Sequence, residues 1–194
     1  MPSFGDQVTG RGPRRGLRAD AQRNYDQLVS AAREVFAEHG VDAPLDEIAR
    51  RAGIGNATMY RHFPTRRELI IAAYADEVAA LCADGTALSA AESADEALFE
   101  WLRSFVAHVA TKRELALAIP PDRDDQRSTL FDRWHEAMRA TASTLLTRAQ
   151  RAGTVRADVA VSDLLTLVNG IAVASTDPEQ IERCLTLLRR GIEA

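Results

Sequence analysis

The chain has 194 residues, of which 46% are hydrophobic and 27% charged, and a formal net charge of −4. That apolar content supports one large folded domain or two small ones and excludes global disorder. No apolar run approaches the ~18 residues of a membrane span, the N-terminus lacks the basic start and apolar core of a secretory signal, and Cys82 and Cys184 are too far apart in sequence for a paired-thiol metal site. A reduced, cytoplasmic protein with no membrane association, no cofactor and no metal is expected.

The charge is unevenly placed. Residues 1–67 carry eleven Arg against eight Asp and Glu, a balance of +3, while residues 68–194 carry 13 basic and 20 acidic side chains, a balance of −7. A basic N-terminal part with an acidic remainder fits a polyanion binder whose other half faces away from the ligand.

Residues 1–20 are rich in Gly, Pro and Arg without periodicity and read as a disordered basic arm. Arg11, Arg14, Arg15 and Arg18 suit phosphates or a minor groove, and a merely solvated tail suits the composition equally well. A first helix is expected over 21–39, because Tyr25, Leu28, Val29, Ala32, Val35 and Phe36 recur at helical spacing before a Gly40 stop. A second starts near Pro44, with Asp46 and Glu47 in its first turn. Its Leu45, Ile48, Ala49 and Ala52 face the first helix, while Arg50 and Arg51 face outward; Arg50 either reaches a phosphate or is solvated.

Gly53-Ile54-Gly55 breaks this helix, and Asn56–His62 forms another short one. Two short helices across a Gly-containing turn make a helix-turn-helix. Met59 and Phe63, four apart, face inward. The remaining side chains, Asn56, Ala57, Thr58, Tyr60, Arg61 and His62, are too polar for a core helix and suit the major groove, which admits one α-helix. Asn pairs bidentately with adenine, Ala touches a thymine methyl, and Thr58, Tyr60 and His62 suit phosphate oxygens, which position without reading sequence. Taken singly, His62 reads as a helix-end carbonyl partner and Tyr60 as a half-buried amphipath; their clustering behind a Gly turn favours DNA. Thr65-Arg66-Arg67-Glu68 is a capping box opening a helix that ends near Ala83. Arg66 and Arg67 oppose the dipole there, which points to a nearby anion such as phosphate.

The run Gly-Ile-Gly-Asn-Ala-Thr-Met-Tyr-Arg-His-Phe-Pro-Thr-Arg-Arg-Glu-Leu, residues 53–69, resembles the N-terminal domain of TetR-family transcriptional regulators. The resemblance covers about residues 21–80. It places the family's cap residue, usually Ser, on Gly55, its sequence-reading positions on Asn56 and Ala57, and its phosphate-binding Thr, Tyr and His on Thr58, Tyr60 and His62. Its basic residue after the recognition helix, usually Lys, falls on Arg66. More loosely, residues 76–82 and 110–113 resemble a subgroup with SbtR-like C-terminal domains. The resemblance implies an all-α protein of about nine helices, in which a three-helix DNA-binding domain is joined by its fourth helix to a C-terminal ligand-binding and dimerisation domain, residues 81–194. It implies a homodimer on a double-stranded DNA operator, with a small-molecule effector acting through the fourth helix.

Beyond a small-residue link at 84–92, a second capping box, Ser93–Glu96, opens a helix over 93–111. A short helix over 113–119, a stop at Pro120-Pro121, a loop over 122–127 and a helix over 128–152 follow. Trp101, Phe105, His108, Trp134, His135 and Met138 are candidates to line a ligand pocket, against plain core packing for each. Arg103 and His108 are the polar residues to watch there. Helices at 162–174 and 178–192 are apolar over broad faces. Leu164, Leu167, Val168, Ile171, Ile181, Leu185, Leu188 and Ile192 are expected in a four-helix dimer interface, with burial inside one subunit as the alternative. Cys82 and Cys184 read as small buried apolar residues.

The leading reading is a dimeric repressor released from a pseudo-palindromic operator by a small molecule. A DNA-binding repressor whose C-terminal domain only dimerises is the alternative. A small acid–base enzyme using His108 and His135 is disfavoured, since the chain has no nucleophile elbow, metal spacing or Gly-rich phosphate loop.

Overall fold

The computed structural model describes the backbone of residues 13–118 and 126–194, and side chains over 18–110 and 131–194. Among these residues the fold is all helical: α1 (Pro13–His39), α2 (Leu45–Arg51), α3 (Asn56–His62), α4 (Arg66–Leu88), α5 (Ala94–Ala118), α6 (Gln126–Arg151), α7 (Val161–Ala174) and α8 (Pro178–Ile192). No helix among them is long and apolar enough to cross a membrane.

Three boundaries depart from expectation. The first helix begins at Pro13, so Arg14, Arg15 and Arg18 belong to it, while Arg11 lies outside the described residues. Proline fits a first turn, and the following residues, Gly16 apart, are mostly good helix formers. The helix expected over 113–119 is instead the end of α5, since nothing between Thr111 and Arg113 breaks a helix; the count is eight, not nine, among the described residues. Pro120, Pro121 and the expected loop start lie outside them. The fourth helix continues to Leu88, past its expected end at Ala83. Gly85 is buried within it: an added Cβ would lie 2.2 Å from Thr141 Cγ2 and 2.9 Å from the Trp101 ring. Gly85 therefore marks a close helix approach, not a helix end.

α1, α2, α3 and the start of α4 enclose one part of the core, with Leu28, Val35, Ile48, Met59 and Leu69 buried at 0% exposure. α4 packs on α1 at one end and on α5 and α6 along the rest, α7 lies against α5 and α6, and α8 closes the bundle on α5 and α7. Leu98, Trp101, Leu102, Leu145 and Val168 fill that second part. At the centre, Tyr74 of α4 meets His108 of α5, with 3.1 Å from its hydroxyl to Nε2, and the edge of Trp134 of α6, with centroids 4.8 Å apart. Burial pushes the Tyr74 phenol well above its usual range, so it stays neutral.

The Thr65–Glu68 capping box forms in both directions, 3.2 Å from Glu68 N to Thr65 Oγ1 and 3.4 Å from Thr65 N to Glu68 Oε2. The Ser93–Glu96 box forms only in part. Ser93 Oγ accepts from Glu96 N, but the Glu96 carboxylate turns to Arg189 of α8 at 2.7 Å. A charged partner outcompetes the neutral backbone N–H. Arg189 also pairs with Asp95, which together with the Ser93 hydroxyl, the larger influence, holds the Asp95 carboxyl below its usual range.

Candidate nucleic-acid interface

α2 and α3 are seven residues each, too short to persist alone. Packing holds them. Ile48 and Ala49 of α2 and Met59 of α3 are buried, and Phe63, just beyond α3, packs against the Tyr25 ring with centroids 5.1 Å apart. Each such large apolar side chain contributes about 1.5–3 kcal/mol. Between the helices the chain turns at Gly53, whose φ of +69° is the left-handed region where a side chain is strained. The turn is closed by Ile54 N to Ala49 O at 2.9 Å and Gly53 N to Arg50 O at 3.2 Å. Ile54 is only half-buried in the corner.

This packing presents one face of α3 outward. Gly55, Asn56, Ala57, Tyr60 and Arg61 are exposed, and Thr58 and His62 half-exposed. Arg50 of α2 is exposed as well, and among the described residues neither Arg50 nor Arg61 makes an ion pair or side-chain hydrogen bond. Arg51 points the other way, pairing with Glu38 of α1 at 2.8 Å and with Glu47 and Glu34 more loosely. It therefore fastens α2 to α1 and is not available to a phosphate.

Two predicted contact residues also have internal work. Asn56 Nδ2 donates to Asp46 Oδ1 at 3.0 Å, joining the starts of α2 and α3 and occupying one of its donors. Arg66 Nη1 donates to the carbonyls of Val41 and Ala43 at 2.7 and 2.6 Å, stapling α4 to the α1–α2 connection. Part of the Arg66 guanidinium is thus satisfied by neutral backbone carbonyls and not by an anion. Arg67 is half-buried beside it.

The six residues expected to line one pocket do not come together. Trp101 is fully buried with its indole N–H donating to Leu81 O at 2.9 Å, Phe105 stacks on it, and Met138 is buried; these three are core. His108 faces a small polar cleft with Arg33, Glu77 and Asp84. His135 is exposed, with Nδ1 2.7 Å from Phe131 O. Only Trp134 borders a larger cleft, about 610 Å³, which lies between the three-helix unit and α6 along α4. Sequence periodicity marks apolar faces but cannot say which meet and which stay apart. Arg103 pairs with Glu182 of α8 at 2.9 Å, outside any of these clefts.

The expected dimer face is also revised. Leu164 and Val168 of α7 and Leu185 and Ile192 of α8 are buried within their own subunit, and Ile171, Ile181 and Leu188 are half-buried. Of the eight, Leu167 alone is exposed, at 55%. The stripe 181-185-188-192 is the one α8 turns inward; the outward side of its broad apolar face carries Leu187, 67% exposed, and α7 adds Val173 at 56%. Cys82 and Cys184 are half-buried, not buried.

Comparison with known proteins agrees with this architecture. Residues 28–73 match the sequence model of bacterial regulatory proteins of the tetR family, and residues 93–194 match that of the SbtR-like transcriptional regulator C-terminal domain. A TetR transcriptional regulator of Streptomyces coelicolor superposes with a TM-score of 0.74 at 36% identity, covering 87% of this chain and 98% of that one. A TetR regulatory protein of Mycobacterium vanbaalenii does so with a TM-score of 0.74 at 37% identity, covering 92% and 99%. The chain spans less than a third of the length of the first curated relatives it matches. The HTH-type transcriptional activator FasR of Mycolicibacterium smegmatis is 44% identical over 62 residues, 31% of this chain and 28% of that protein. The HTH-type transcriptional regulator SrpR of Pseudomonas putida is 41% identical over 58 residues, 29% of this chain and 27% of that protein.

Proposed function

Because the chain belongs to the TetR family of DNA-binding transcriptional regulators, and not to a family of enzymes, we propose that it is a cytoplasmic homodimeric repressor whose hold on a pseudo-palindromic operator is released by a small-molecule effector. The single observation that carries the DNA-binding half is the outward face of α3, where Tyr60 is 47% exposed on a helix held to the core through Met59. Asn56 and Ala57 meet base edges, and Gly55, where an added Cβ would meet nothing within 4 Å, lets the backbone approach closely. Thr58, Tyr60, His62, Arg50, Arg61 and Arg67 position the helix on phosphates, with the remaining donors of Arg66 beside them.

One such helix spans too few base pairs for useful specificity, so a second copy at a fixed distance is required, with half-sites about one helical turn apart. The exposed apolar stripes of α7 and α8, Leu167, Val173 and Leu187, support dimerisation there. Repression is the reading that needs nothing beyond DNA binding, since a dimer over a promoter excludes polymerase by volume. One relative is named an activator, so the direction of regulation is to be read from a reporter.

The test is a gel shift on the DNA upstream of the chain's own gene. Wild type is expected to shift it as a dimer, and Tyr60→Ala combined with Arg50→Ala to abolish the shift at physiological salt. An unchanged shift in that variant would remove α3 from the interface.

A further inference from the structure

The cleft beside α4 has the form of a ligand site. On α4, Ile71, Ala75, Ala79 and Cys82 lie along one face, and from Glu68 to Cys82 they span 15 residues, roughly 21 Å of helix. Across from them stand Trp134 and Ala137 of α6. The alanines keep this part of the α4–α6 seam open, giving about 610 Å³, within the range of small-molecule sites.

The cleft has a direction. Trp134 meets Tyr74, whereas Thr141, further along α6, meets Gly85, so the two helices run the same way. His62 and Glu68 therefore lie at the end next to α3, Arg133 precedes Trp134 towards that end, and the other end is alanine, valine and cysteine. The Glu68 carboxylate is already engaged in the α4 capping box. Arg133 is exposed and has no ion pair among the described residues. An apolar trench with an unengaged guanidinium at one end fits a molecule with an apolar body and an anionic head.

We propose that this cleft binds an elongated amphipathic carboxylate, its head on Arg133 and its tail along Ala75, Ala79 and Trp134. His62 and Phe63, at the end of the DNA-contacting helix, form part of the same wall, together with Tyr25 of α1. A ligand there wedges between α6 and the three-helix unit. If it favours a spacing that DNA disfavours, the two ligands weaken each other reciprocally. α7 and α8 contribute nothing to this wall, so a dimer formed through them leaves it open.

The binding claim stands without DNA; the regulatory one rests on the effector reading above. The probe is dodecanoate, titrated calorimetrically into the full chain below its micellar range, with dodecan-1-ol and dodecylammonium as controls. One site per chain is expected, with the alcohol and the amine each at least about tenfold weaker. Arg133→Gln is expected to lower dodecanoate affinity about tenfold and leave the alcohol unchanged. Ala79→Phe, at an exposed helical position, is expected to abolish binding with its thermal midpoint retained. Absence of saturable binding, an amine that binds best, or binding indifferent to both variants would overturn the site. A gel shift with dodecanoate then separates the two claims: saturable binding that leaves the DNA complex intact keeps the site and overturns its role in release.

Discussion

Replacing Gly85 by Ala should destabilise the protein, although the same change in an ordinary helix stabilises it. Alanine is the better helix former by about 1 kcal/mol. At Gly85, however, the new methyl would sit 2.2 Å from Thr141 Cγ2 and 2.9 Å from Cδ1 and Nε1 of Trp101. Thr141 is held by its hydroxyl, which donates to Ala137 O at 3.0 Å, and Trp101 by its bond to Leu81 O at 2.9 Å, so neither yields freely. Overpacking of this kind costs about 1–3 kcal/mol, with the upper end expected where two partners are pinned. The net loss is about 1–2 kcal/mol after the propensity gain. Urea denaturation followed by far-UV circular dichroism measures it. Thr141→Ser, which removes the methyl and keeps the hydroxyl, should recover part of the loss when combined with Gly85→Ala, a coupling that additive effects would not give. A Gly85→Ala variant as stable as wild type would refute the close approach of α4 to α5 and α6.

Arg66→Ala should cost about 2 kcal/mol by stranding the Val41 and Ala43 carbonyls, and Arg66→Lys should recover part of it; thermal melts of both against wild type check this. Leu167→Glu with Leu187→Glu should give a folded monomer in sedimentation velocity, since both side chains are more than half exposed; a persisting dimer would place the interface elsewhere. Asp95 has its carboxyl held below the usual range when folded, so the stability it contributes is present above its unfolded pKa and lost as pH falls through its folded one. Unfolding free energies measured from neutral pH down into the acid range should therefore fall less steeply in Asp95→Asn than in wild type.

Much of this protein is written locally. The stop at Gly40, the turn at Gly53 and the Thr65–Glu68 box each depend on the conformational limits or hydrogen-bonding reach of a few neighbouring residues, so they were legible without the fold. So was the outward face of α3, because Met59 within it and Phe63 just beyond it fix which side turns inward. What the sequence could not contain is the choice among apolar stripes. Leu185 and Leu187 sit two residues apart on α8 and look alike, yet one is 1% exposed and the other 67%, because only docking on α5 and α7 decides which side of the helix is covered. Trp101 and Trp134 differ in the same way: one fills the core and the other borders a cleft. Arg66 reads in the sequence as a phosphate ligand alone, whereas the α1–α2 connection also brings it two carbonyls from 25 and 23 residues away. Periodicity sets that a helix has an apolar side; long-range packing sets what that side meets.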